Sequence, residues 1–143
     1  MKTLIRLSFI AILVTSFTMV TDAQEDLYNK LNKKLATLYK QGKTLQAIKV
    51  AEEALQVAEK TYGKKHAYVS TSLNNLALLY ISEGKYEKAE ELFERSLKIA
   101  ENLLGKDHPH LADILQNMVK CNEHLGNFDK ADMLEARLDK IKK

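Results

Sequence analysis

The chain has one cysteine, one proline, five glycines and no apolar run of the length a membrane span requires. A single thiol, Cys121, cannot form an intramolecular disulfide, so stability has to come from packing. The apolar or small-residue stretch Leu7 to Phe17 falls short of the ~20 residues that cross a bilayer, which disfavours a permanent anchor. Neither charge sign dominates, with 22 lysines and arginines against 19 aspartates and glutamates. Nothing in that balance draws the chain to nucleic acid or an anionic membrane. Tyrosines fall at core places rather than in basic stripes, which also speaks against nucleic acid. No nucleophile–base set, phosphate-cradling glycine loop or paired catalytic carboxylates can be assembled. The sequence therefore predicts a non-enzymatic chain without a cofactor.

What is present begins with the N-terminus. Lys2 and Arg6 precede the apolar stretch, and Thr21-Asp22-Ala23 offers small residues three and one places before a cut ahead of Gln24. That order is the order of a secretory signal peptide, here residues 1–23, with an uncleaved anchor as the competing reading. The expected location is periplasmic or secreted. The remainder, residues 24–143, carries 20 basic and 18 acidic residues. It is long enough for one domain with a sizeable core.

Gly42, Gly84 and Gly126 stand 42 residues apart. Leu73, Asn75, Gly84, Tyr86, Lys88 and Ala89 find Leu115, Asn117, Gly126, Phe128, Lys130 and Ala131 at the same offset. Gly63-Lys64-Lys65-His66 likewise answers Gly105-Lys106-Asp107-His108. Self-similarity at such a period marks stacked repeats, here about 28–66, 67–108 and 109–143. Apolar spacing is helical throughout. In the middle unit Leu73, Leu76, Ala77 and Tyr80 share a face of a first helix that Gly84 ends. Tyr86, Ala89, Phe93, Leu97 and Ala100 share a face of the second, which Gly105 ends before Pro109 restarts the chain. Glu91–Arg95 and Glu94–Lys98 are predicted to pair on its outer side. The glycines and Pro109 argue against a continuous coiled coil. In the first unit two registers compete. A gapless one aligns Leu31, Leu35 and Leu38 with Leu73, Ala77 and Tyr80. A one-residue deletion aligns Leu35, Ala36 and Tyr39 with Leu76, Ala77 and Tyr80, and restoring the small residue favours it slightly.

The stretches Leu73-Asn74-Asn75-Leu76-Ala77 to Tyr80, Gly84-Lys85-Tyr86 to Ala89, and Leu104-Gly105 to His108-Pro109 resemble the tetratricopeptide repeat. The likeness is to its 42-residue form, found in kinesin light chains and many bacterial proteins. It implies an all-α, right-handed α-solenoid of about three antiparallel helix pairs, whose first helices line a concave groove for peptides. With the core face assigned, Thr71, Asn74, Asn75, Leu78, Ile81 and Ser82 look into that groove. The third unit supplies Asp113, Gln116, Asn117, Lys120, Glu123 and His124, and the first Lys33, Lys34 and Thr37. The resemblance gives Asn75 and Asn117 the role of holding a peptide backbone or carboxylate, since an amide both donates and accepts. Alternatively they only solvate the helix surface. Lys33 and Lys34 favour an acidic ligand, although the basic set for a C-terminal carboxylate is incomplete and Asp113 and Glu123 oppose it. His66 and His108 recur in the connectors, which points to a structural role. A zinc site using His108, His110, Cys121 or His124 lacks a second ligand pair, and Cys121 reads as a buried apolar group replacing Leu79. The reading is a protein-binding adaptor with an unidentified protein or peptide partner. Its alternatives are a solenoid that self-associates through its ends and, more remotely, a metal-binding protein.

Overall fold

The computed structural model describes residues 22–142, all of whose regular structure is helical. The expected signal peptide lies, up to residue 21, outside the described residues; residues 22–24, around the expected cut, are helical. Helix α1 covers residues 22–40, followed by α2 (Thr44–Tyr62), α3 (Ala67–Ser82), α4 (Tyr86–Leu104), a 3₁₀ turn (Pro109–Leu111), α5 (Ala112–His124) and α6 (Phe128–Ile141). They form three antiparallel pairs stacked into an α-solenoid, with α1, α3 and α5 on one side and α2, α4 and α6 on the other.

Each pair turns by the same device. The Gly84 N–H donates to the Ile81 carbonyl at 2.9 Å and the Lys85 N–H to the Tyr80 carbonyl at 2.8 Å, while Gly84 has φ +70°. This is the doubly bonded helix end that needs a left-handed residue. The same two bonds close α1, from Gly42 to Tyr39 and Lys43 to Leu38, and α5, from Gly126 to Glu123 and Asn127 to Asn122. The turns superpose without a gap, and that settles the first register against the favoured deletion. Leu31 is buried and Leu35 and Leu38 pack on the core, whereas Ala36 is exposed and Tyr39 is 53% exposed. A one-residue shift would rotate α1 by about 100°. The turn bonds hold it in place, and the close approach comes from α2 instead, where Ala47 and Ala51 are fully buried.

The middle unit packs as its spacing predicts. Leu73, Leu76, Ala77, Ala89, Phe93, Leu97 and Ala100 are all buried. Sequence spacing did not reveal a buried polar crossing between α3 and α4. There the Ser70 hydroxyl bonds the Ser96 carbonyl at 2.9 Å, and the Ser96 hydroxyl returns a bond to the Ser70 carbonyl at 2.8 Å. Both groups are satisfied, so their burial is tolerated. The outer ion pairs differ from expectation. Arg95 pairs with Glu59 of α2 rather than with Glu91, and Glu94 with Lys130 of α6 rather than with Lys98. Arg137 reaches Glu101 at 2.6 Å, which repeats the Glu59–Arg95 pair one unit later. These charges stitch successive second helices together instead of bracing one helix along its length. At the C-terminal end Glu135 and Asp139 are exposed where α4 has Phe93 and Leu97. The surface that end-to-end stacking would bury is polar at these two positions, whereas Phe128, in the place of Tyr86, is 64% exposed on the same helix.

The connector glycines impose a harsher requirement. Gly105 has φ +93° and ψ +158°, a region open essentially to glycine alone, although a Cβ would meet nothing within 4 Å. Gly105→Ala is expected to cost about 2 kcal/mol by backbone strain alone, and Gly84→Ala about 1 kcal/mol. Urea melts check the order, and a reversed order would sink the assignment.

Candidate functional site

Three clefts divide the residues that the sequence assigns to one groove. The first lies between α1 and α3, has a volume of about 430 Å³, and is lined by Asn32, Leu35, Ala36, Tyr39, Asn75, Leu78, Leu79, Ile81 and Ser82. Helical spacing places Asn75, Leu78 and Ser82 on one stripe of α3. The Ser82 hydroxyl is spent on the Leu78 carbonyl at 3.1 Å, and the Asn32 side-chain amide donates to the Tyr28 carbonyl at 2.9 Å. The Asn75 carboxamide makes no hydrogen bond to another side chain or backbone group among the described residues, and Asn75 lines the cleft. Apolar walls, a tyrosine at the rim and one free amide make this the cleft best suited to an extended chain.

Thr71 and Asn74 line a second cleft, with Asp113, between α3, the end of α4 and the start of α5. The Thr71 hydroxyl is turned back on the Ala67 carbonyl at 3.2 Å. Asn117 stands at the border, its amide nitrogen 3.5 Å from Asn74 Oδ1. Asn117 thus joins α5 to α3 and does not share a cleft with Asn75. Gln116 and Lys120 line a third, smaller cleft with Glu123 and Glu135, between α5 and α6. Lys33 and Lys34 are exposed on α1 and line none of the three. Thr37 bonds the Lys33 carbonyl at 2.9 Å. Asn32, Leu35, Ala36 and Tyr39 were absent from the sequence assignment, because the deleted register turned Ala36 and Tyr39 inward. The gapless 42-residue period would have found Asn32, which stands where Asn74 stands one unit later.

The connector histidines serve as caps. Nδ1 of His66 accepts the Tyr68 N–H, and Nδ1 of His108 accepts the His110 N–H, each at 3.2 Å. His124 stacks on Tyr86 at 4.5 Å, and Cys121 points its Sγ at the Tyr86 carbonyl at 3.2 Å. Among the described residues no group of three or more metal-ligating side chains converges, and no helix is long and apolar enough to cross a membrane. Cys121 fills the place of Leu79, fully buried. Burial first, and then the Glu90 carboxylate, push its thiol up to about 11. A thiol with so raised a pKa is a poor nucleophile. Cys121 is expected to resist a thiol reagent in the folded protein at pH 8 and to react at once in urea; rapid native labelling would contradict its burial.

A family described as tetratricopeptide repeat matches residues 26–102 and, in an overlapping register, residues 68–138. No curated protein matches the chain. Among solved structures, BtubC (BKLC) from P. vanneervenii superposes with a TM-score of 0.75 at 27% identity, over 80% of this chain and 46% of that one. A Podosopora anserina protein with nearly identical TPR-like repeats gives 0.72 at 20% identity, over 80% and 54%. The TPR domain of Arabidopsis FLU gives 0.69 at 18% identity, over 81% and 98%. The chain spans about half the length of the first two.

Proposed function

The chain belongs to the tetratricopeptide repeat family, whose members generally mediate protein–protein interaction, and we propose that it is an exported adaptor holding a partner segment between α1 and α3. The observation that carries this reading is the Asn75 carboxamide, free of side-chain and backbone partners among the described residues, in a cleft of about 430 Å³ walled by Leu35, Leu78 and Ile81. An amide can pair with both the N–H and the C=O of a ligand backbone, whatever its sequence. The apolar walls add burial on either side. Because helices preform the cleft, the receptor loses little ordering entropy on binding. Export rests on the charged, apolar and small-residue order of residues 1–23.

Asn75→Ala with Leu78→Ser tests the site. Both side chains sit outside the core, so the melting curve is expected to stay nearly unchanged. Capture of the partner from an envelope extract is expected to weaken by about 1–3 kcal/mol, the loss when a polar group in an interface is left without its partner. Undiminished capture by a folded double variant would move the binding surface elsewhere. N-terminal sequencing of the mature protein checks export, and a full-length chain in the cytoplasm would end that part of the reading.

A further inference from the structure

Residues 42 apart occupy equivalent places at the two junctions between successive helix pairs, and at one place the junctions differ. At the first, three tyrosines fill the space among the α1 side, the end of α2 and the start of α3. The Tyr28 ring stacks on Tyr68 at 4.8 Å, and Tyr62 meets Tyr68 edge-on at 5.0 Å. The Tyr28 hydroxyl donates to the Tyr68 carbonyl at 3.1 Å. At the second junction the positions of Tyr28, Tyr62 and Tyr68 are held by Ser70, Leu104 and His110. Ser70 is turned away into α4 by its bond to Ser96. The volume the rings occupy at the first junction is an open cleft of about 510 Å³ at the second. Its rim carries Leu103 and Leu104, 52% and 44% exposed.

The two junctions share repeat positions, although His110 lies in the 3₁₀ turn whereas Tyr68 lies in the first turn of α3. Ala100 lies where Ala58 lies, both buried. His110 brings a flat ring to the repeat position of Tyr68, and its carbonyl is the repeat equivalent of the Tyr68 carbonyl that accepts the Tyr28 hydroxyl. A carbonyl oxygen has a second lone pair for such a donor. An aromatic ring placed there would bury apolar area against the leucines and stack on the imidazole. From this internal template we propose that the second junction receives one tyrosine side chain of a partner protein, with its ring against Leu104 and His110 and its hydroxyl on the His110 carbonyl. The site lies outside the α1–α3 cleft and does not depend on the adaptor reading.

The test is a titration of the full-length, isotope-labelled chain with N-acetyl-tyrosinamide, followed by amide chemical shifts. Saturable shifts are expected at Thr71, Asn74, His110 and Asp113, with N-acetyl-leucinamide binding about fivefold more weakly for want of stacking. Ser70→Tyr with Ser96→Ala copies Tyr28 and Ala54 of the first junction, and is expected to fill the cleft and abolish the shifts. Leu103→Ser with Leu104→Ser changes exposed positions only, so it keeps the test open if the first variant does not fold. It is expected to bind about tenfold more weakly. Equal binding of the leucine amide would overturn the aromatic assignment. Shifts at Asn75 and Leu78 instead, or unchanged affinity in the serine variant, would overturn the site. Binding of p-cresol without binding of the tyrosine amide would overturn a peptide-borne ring as occupant.

Discussion

Phe93→Ala is expected to destabilise the protein by about 3–5 kcal/mol, while Glu135→Ala, at the same place one repeat later, costs a few tenths. Phe93 is fully buried among Ala77, Ala89, Leu111, Leu115 and Met118. Truncation removes its transfer free energy and leaves a cavity that helices on several sides cannot collapse to fill. Glu135 is exposed on α6 and gives up only solvated surface. Because repeat position is held constant, the pair isolates the effect of a following helix pair from that of the local helix. Urea denaturation followed by circular dichroism reads both. Similar midpoints for the two variants would mean that the third pair does not dock on α4 as described.

Lys130→Ala is expected to cost about 3 kcal/mol, far more than truncation of an ordinary surface lysine. Its ammonium lies 2.6 Å from Glu90 Oε1 and 2.5 Å from Glu94 Oε1. Glu90 is buried, and neither of its carboxylate oxygens has a well-aimed hydrogen bond. Charge attraction to Lys130 holds it. Without Lys130 the Glu90 charge is stranded in a low-dielectric site, and its desolvation goes uncompensated. The cost sits at the low end of the range for buried pairs because Lys130 is 40% exposed. Glu94 is exposed, and Glu94→Ala is expected to change little. Glu90→Gln added to Lys130→Ala is expected to recover most of the loss, since the charge is gone. A double variant no more stable than the single one would refute the stranded charge.

The pH sign follows from the same cluster. Burial lowers the Lys130 pKa, but the close contact with Glu90, the hydrogen bond to Glu94 and the attraction of both carboxylates outweigh this and raise it above the ordinary 10.5. A pKa raised on folding stabilises fully below the unfolded value and fades as pH climbs through the folded one. The contribution of Lys130 therefore persists through neutral pH and disappears only in alkali above about 10.5.

The sequence by itself determined the helix-pair repeat, because each of its causes is local. Glycines needing positive φ recur every 42 residues, and apolar side chains recur every three or four between them. The recurring histidines read correctly as structural, since a cap bonds a backbone N–H two residues on. Replacement of Leu79 by Cys121, and of Phe93 by Glu135, was legible from position alone. Tertiary structure decided what depends on a neighbour in the next unit. Arg95 and Glu94 chose partners 36 residues away over those four residues away, because the stacked second helices bring opposite charges closer than their own helix does. The register of α1 was decided by turn bonds that the residue pattern Leu35-Ala36 could not outweigh. Asn75 and Asn117 occupy identical repeat positions and differ in role, since Asn117 meets Asn74 while Asn75 faces α1 and an open cleft. A repeat position fixes which way a side chain points. What it points at depends on the residues of the adjoining repeat, and those differ between the two junctions.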